Sequence, residues 1–341
     1  MTNDRAAGGK ARPLRTGRAG VVRGSAAAAA VVVALLVAGC ATLPPLAAPR
    51  DEGWYGVLPS GGGAYLSIAV GANRAVVKEL LSESGVSQGA MQEVIDRTDR
   101  VIWCVGRPGA KRPGTPPPFA AVATGSYPKG LVDLRLGASG QWNRVAAPLS
   151  GSAGGTNPVT WWWENRTNGL QLVLASRTIA FLSNGEIGAV VARLTGPESH
   201  AVPRAVRERL DAADFALYLP HPEDLLQASA PFGEMVPVEG LVITVNRAMG
   251  SAADSDWVAT GYVTMRSPRD ARVFAVALKL LIASQGMGEG AFGGIPLPLV
   301  QARVIVDGPT IELSNMRIGR DRLGELFAGF VNQMGLAGVA S

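Results

Sequence analysis

The stretch Trp257-Val-Ala-Thr-Gly-Tyr-Val-Thr-Met265 runs through Arg266-Ser267-Pro268 into an apolar stripe at Ala271, Phe274, Ala275, Leu278, Leu281 and Ile282. Its first part is rich in β-branched and aromatic residues, which suit a pleated, half-buried surface, so it predicts a strand. The stripe recurs at steps of three and four residues, which places one apolar face of a helix against a core. Pro268 sits where a helix can begin without losing a bond, because the first amide groups of a helix have no internal partner. Working outward, Leu241–Val245 and Phe215–Leu219 read as two preceding strands, with helix-like Pro222–Ala228 between them. Beyond the stripe, Val300–Val306 turns into Thr310–Asn315 as a closing hairpin.

The first half of the chain carries the same order. Strand-like Ala64–Val70 leads to helix-like Arg74–Leu81, then to strands Val101–Val105 and Phe119–Thr124, and a helix opens at Tyr127-Pro128-Lys129. Its continuation, Gly130–Leu136, is short enough to be read as a strand or a lone turn. The hairpin Leu170–Ala175 and Thr178–Asn184 closes this half, and its Thr-Ile and Ser-Asn pairs match those of Thr310-Ile311 and Ser314-Asn315. Strand, helix, strand, strand, helix, strand is the ferredoxin-like order. The expectation is an α+β protein of two tandem βαββαβ repeats, each an antiparallel sheet with its helices on one face. The corresponding divisions are a leader at 1–39, a tether at 40–56, a first repeat at 57–200 and a second at 201–341.

The leader has three parts. Arg5, Lys10, Arg12, Arg15, Arg18 and Arg23 form a basic start, and the apolar run Ala26–Ala38 follows. A run of 13 residues falls short of the roughly 20 that cross a bilayer as a helix, but fits the apolar region of an export signal. It closes on Val37-Ala38-Gly39-Cys40, an aliphatic residue, two small residues and a cysteine. This resembles the lipobox of bacterial lipoproteins. The resemblance implies cleavage before Cys40, a diacylglyceryl thioether on its thiol, acylation of the new amino terminus by a palmitate-type chain, and a lipid-anchored protein of the cell envelope. No aspartate follows Cys40, since Ala41 and Thr42 come next. In a double-membraned bacterium the resemblance then implies outer-membrane delivery.

The leader also explains the charge. The whole chain has 32 Lys and Arg against 27 Asp and Glu, and removing the leader leaves 26 of each. A nucleic-acid partner is not expected, because that needs basic residues clustered in the folded part. The membrane, met through lipid on Cys40, is the expected contact, with an envelope protein or glycan as a further partner. From Ala41 to Gly53 the chain has three prolines and no periodicity. It reads as a tether, which when extended spans roughly 40 Å.

Candidate chemistry is sparse. Cys104 lies in Val101-Ile-Trp-Cys-Val105 and reads as a small apolar residue of a buried strand. Gly85-Val-Ser87-Gln-Gly89 has the spacing of a nucleophile elbow but follows a helix instead of a strand. Ser126-Tyr-Pro-Lys129 has the serine–lysine spacing of penicillin-recognising enzymes without their Lys-Thr-Gly partner, and Ser126 reads as a helix cap. Gly288-Glu-Gly290-Ala-Phe-Gly293 fits a dinucleotide pattern in letters only, since it comes after a helix. Two histidines, His200 and His221, do not make a zinc cluster, and Asp254-Ser-Asp256 reads as a turn. No catalytic residue, metal ligand or cofactor is therefore assigned. Asn165-Arg-Thr167 has the letters of a glycosylation acceptor and carries no weight beside a bacterial export signal.

Trp161-Trp162-Trp163, with Trp142 upstream, is the least ordinary feature. On a strand, Trp161 and Trp163 share one face and Trp162 takes the other. They form either a binding face for sugar rings or a protein partner, or a strand packed on both sides. The function expected from these readings is a lipid-anchored, non-enzymatic binding or scaffold module of the envelope. An envelope hydrolase or a small-ligand carrier is the alternative.

Overall fold

The computed structural model describes residues 53–83, 88–107, 117–147, 159–185, 187–194, 202–222, 237–248, 256–284, 302–320 and 322–325. The strands are β1 Gly62–Ile68, β2 Thr98–Gly106, β3 Phe119–Gly125, β4 Trp142–Ala146, β5 Trp161–Asn165, β6 Gln171–Leu174, β7 Ile179–Ser183, β8 Phe215–Leu219, β9 Val238–Arg247, β10 Asp256–Met265, β11 Arg303–Asp307 and β12 Thr310–Gly319. The α-helices are α1 Arg74–Glu83, α2 Gln88–Arg97, α3 Lys129–Ala138, α4 Ile187–Arg193, α5 Arg204–Ala212 and α6 Pro268–Ser284, and a 3-10 turn occupies Gly53–Val57.

These elements build one sheet of twelve strands in the order β11-β12-β10-β9-β8-β1-β2-β3-β7-β6-β5-β4. Every pairing in it is antiparallel. This corrects the expectation of two tandem ferredoxin-like repeats. The ferredoxin-like arrangement sets its first strand parallel to its third, whereas here β1 lies between β2 and β8, antiparallel to both. The reason lies in β1 itself. Ala64, Tyr65, Leu66 and Ser67 are all buried, so this strand is covered on both faces. A strand of that kind is stable in the middle of a sheet, where β8 also satisfies its backbone groups along what would otherwise be an open edge.

The helices also divide between the two faces instead of sharing one. On one face, α1, α2 and α6 cover Val101, Phe215, Ile243, Val245 and Trp257. On that same face α3 brings Val132 and Leu136 onto Leu172, Leu174, Ala180 and Trp163. The other face is covered by the 3-10 turn, α4 and α5, which pack Tyr55, Ile187, Val190, Val206 and Leu210 over Tyr65, Ile102, Val122, Phe181 and Tyr218. A sheet apolar on both sides needs a layer on each.

Capping differs between α3 and α6, the two helices whose starts the sequence marks with proline. In α6, the Ser267 hydroxyl accepts the Asp270 N–H at 3.2 Å and donates to the Asp270 carboxylate at 2.7 Å, and Pro268 is the first helical residue. Ser267 is thus an N-cap whose hydroxyl satisfies one of the first amide groups of the helix, while Asp270 holds that hydroxyl in place. In α3 the cap position is Pro128, with no side-chain bond. The expectation that Ser126 caps α3 is therefore corrected. Ser126 is exposed, and its own N–H donates to Arg97 O at 2.7 Å.

Two polar knots tie distant parts of the chain together. Asn73, fully buried, donates from Nδ2 to Asp214 Oδ1 at 2.9 Å, while Asp214 Oδ2 accepts the Arg247 N–H at 3.0 Å. The Arg100 guanidinium donates to Ser67 Oγ and to the backbone oxygens of Leu210 and Asp211, so it closes the last turn of α5 onto the sheet.

Candidate functional site

The two tryptophans singled out in the sequence lie on the face that carries α3. Register along β5 pairs Trp161 with Ala146, Trp162 with Val145 and Trp163 with Arg144. Trp162 takes the opposite face, where it joins the cluster around Phe181 and Ile187. Trp163 is buried under α3, and its indole N–H donates to Asp133 Oδ1 at 3.1 Å. Trp161 is half-buried, meets Trp163 edge to face at 5.5 Å between ring centroids, and carries the Arg144 guanidinium 3.9 Å above its ring. Lys129 Nζ lies 5.8 Å from the same ring. Cations over a ring face are held by its quadrupole. Trp142, also buried, packs in the same cluster.

Burial holds the Asp133 carboxyl above the usual carboxylate range, against the opposing pull of the Trp163 bond and of Lys129 and Arg144. The folded chain therefore binds this proton more tightly than the unfolded chain. Stability from this group is present at low pH and is lost as pH rises through the folded value. Asp133→Asn keeps an oxygen to accept from Trp163 but has no charge to bury. The variant is expected to be more stable than the parent at neutral pH, with the gain vanishing below about pH 4, where the parent is protonated in both states. Urea midpoints at both pH values check this.

Cys104 is buried, and its thiol lies 3.6 Å from Pro59 O beside Tyr65. His221 follows β8 and is half-buried, while His200, Ser87, Asp254 and the Gly288–Gly293 segment lie outside the described residues. Cys40 and the cleavage motif Val37, Ala38 and Gly39 lie outside them too. Asn165 is buried and uses Oδ1 to accept the backbone N–H of Thr167 at 2.8 Å, a local turn. Among the described residues, no group of three or more His, Cys, Asp or Glu is placed to hold a metal ion. No described helix is long and apolar enough to cross a membrane.

A different surface emerges from the helices. Ala271, Ala275 and Leu278 of α6 are buried against the sheet. On the opposite side of the same helix, Val273, Val276 and Leu280 are 66 %, 58 % and 67 % exposed. Their spacing of three and four residues makes them one row. Arg269, Arg272 and Lys279 are exposed on the same helix. On α3, which covers the same face of the sheet, Leu134 is 68 % exposed opposite buried Val132 and Leu136. Single exposed apolar residues are ordinary, whereas these three stand in one row on the outer side of a helix whose inner side is core. The sequence reading missed it because it assigned the helix one apolar stripe. The signal was there in letters, since Val273, Val276 and Leu280 make α6 apolar nearly all round.

No protein-family model matches the chain, and no curated protein matches it. Among solved structures, the chain is similar to TP0453. In crystal form IV of that protein the TM-score is 0.55 at 15 % identity, covering 81 % of this chain and 99 % of that one. In crystal form I it is 0.53 at 15 % identity, covering 85 % and 98 %. At these identities the likeness is one of fold.

Proposed function

We propose that this chain is a lipid-anchored protein of the bacterial envelope, held by lipid on Cys40, that acts by binding instead of by chemistry and rests the face carrying α3 and α6 on the membrane surface. The observation that carries the reading is the outward row Val273, Val276 and Leu280. A helix with an apolar outer face and basic residues beside it suits the boundary between headgroups and acyl chains. There the apolar side chains leave water, and Arg269, Arg272 and Lys279 meet lipid phosphates. The lipobox at Val37–Cys40 supplies the anchor, and two or more acyl chains hold a protein firmly where one is marginal. The chain enters the described fold through the 3-10 turn on the opposite face of the sheet. The tether, roughly 40 Å when extended, leaves the domain free to turn relative to its anchor.

The test uses the full lipidated protein in vesicles of phosphatidylcholine and phosphatidylglycerol. A polarity-sensitive fluorophore is placed at V276C, or at R204C on the exposed side of α5. The V276C label is expected to emit as in an apolar medium and to be quenched by a lipid-borne quencher, while the R204C label stays solvent-like. V273D with L280D in the V276C chain should return its emission to that of water. Solvent-like emission from both labels, or an apolar signal that the two aspartates leave unchanged, rejects the membrane-facing reading.

A further inference from the structure

We propose that the free edge of the sheet at β11 pairs with the same strand of a second copy of this chain, antiparallel and two-fold, centred on Ile305. Among the described residues β11 pairs only with β12, so one row of its backbone groups faces outward. Which residues own that row follows from the ladder. Met265 N–H donates to Pro309 O at 2.9 Å, so residues 309 and 311 turn their polar groups toward β10. Residues 310, 312 and 314 then turn theirs toward Asp307, Ile305 and Arg303, their register partners on β11. The N–H and C=O groups of Val304 and Val306 are left on the outer edge, with no partner strand among the described residues.

This parity fixes the register in which two copies of β11 fit. With the two-fold axis at Ile305, Val304 exchanges its hydrogen bonds with Val306 of the other copy, and Val306 with the other Val304. Ile305 then faces its own counterpart as a non-hydrogen-bonded pair, the type whose side chains approach most closely. Arg303 faces the other copy's Asp307, and Asp307 the other Arg303. The strand Arg303-Val-Ile-Val-Asp307 is thus its own complement in charge and in shape. All three of the facing side chains are exposed, Ile305 at 38 %, while Val304 and Val306 pack beneath α6. Charges at both ends of an edge strand also reject strands of a different pattern, which is how open edges avoid indiscriminate pairing. Five residues make a small interface. Lipid anchors that confine both copies to one membrane raise their effective concentration, so a small interface suffices there. This inference does not depend on which face of the sheet meets the membrane.

The test is oxidative crosslinking of the full lipidated chain carrying I305C, in vesicles. Non-hydrogen-bonded partners have Cα atoms about 4.5 Å apart, within the span of a disulfide. Mild oxidation is expected to give a covalent dimer, and the parent chain, whose Cys104 is buried, none. R303D or D307R in the I305C chain sets like charges opposite each other twice, and the yield should fall about tenfold. R303D and D307R together should restore it, as should an equal mixture of the two single charge variants. All three substituted positions are exposed, and thermal melting confirms that each variant folds. The proposal is overturned by the absence of an I305C dimer from folded protein, or by a dimer whose yield ignores the charge reversals.

Discussion

Replacing Trp257 by alanine is expected to destabilise the fold by about 3–5 kcal/mol, the range for removing a large buried aromatic. Trp257 is fully buried and lies at the start of β10, between Arg247 on β9 and Ile318 on β12. Its ring meets Phe215 edge to face at 5.3 Å, which ties β10 to β8, the strand that joins the two halves of the sheet. Beneath α6, it shares one cluster with Val263, Met265, Ala271, Ala275 and Leu278. Loss of the ring leaves a cavity between a twisted sheet and a helix that cannot both move inward, so little of it refills. Native stabilities are about 5–15 kcal/mol, so this one change removes a large part of the total. Trp257→Phe separates volume from hydrogen bonding. The indole N–H has no hydrogen-bond partner among the described residues, so the phenylalanine variant loses no bond, keeps most of the aromatic volume, and should cost clearly less than the alanine variant. Equilibrium urea unfolding measures both. A similar cost for the two variants contradicts the cavity account.

Gly125→Ala should be nearly as damaging for the opposite reason. A methyl group at Gly125 would overlap the Arg97 carbonyl oxygen and lie 2.9 Å from Thr98 Cα, both backbone atoms that no side-chain rotation can move aside. The close approach is made by the chain itself. Gly125 N–H donates to Thr178 O at 2.9 Å, and Ser126 N–H to Arg97 O at 2.7 Å, where α2 ends and β2 begins. Accommodating the methyl group means parting β2 from β3 at this end and breaking the Ser126–Arg97 bond, while the Gly125–Thr178 bond holds β3 to β7 and resists the shift. The expected cost is about 3 kcal/mol, at the top of the usual range for overpacking. Gly319→Ala is the control. Nothing lies within 4 Å of a methyl group there, and the change should stay within about 0.5 kcal/mol. Thermal melts of the two variants side by side make the comparison.

The local elements were legible because each rests on a short-range signal. β10 and α6 could be read from Trp257–Ile282 alone, since alternation gives way to a three-and-four step at Pro268, and a chain cannot satisfy both periods at once. The ambiguous Gly130–Leu136 segment became helix α3 because Val132 and Leu136 share a side that Leu172, Leu174 and Trp163 cover, a contact with residues some forty positions away. Helices α2, α4 and α5 went unread in the sequence. They are short, and their burial depends on which face of the sheet lies beneath them.

What the sequence determined by itself was therefore the strands and helices with a strong local period, their order, and the alternation that puts Trp162 opposite Trp161 and Trp163. Tertiary structure alone decided the pairing of β1 with β8, and with it one sheet in place of two. Backbone hydrogen bonds between strands carry no residue identity, so the letters of β1 fit several neighbours, and only burial on both its faces selects the central place. Tertiary structure likewise decided which apolar residues of α6 are core and which are surface. A helix apolar nearly all round has no preferred side until a sheet covers one of them, and Val273, Val276 and Leu280 are the side left in the open.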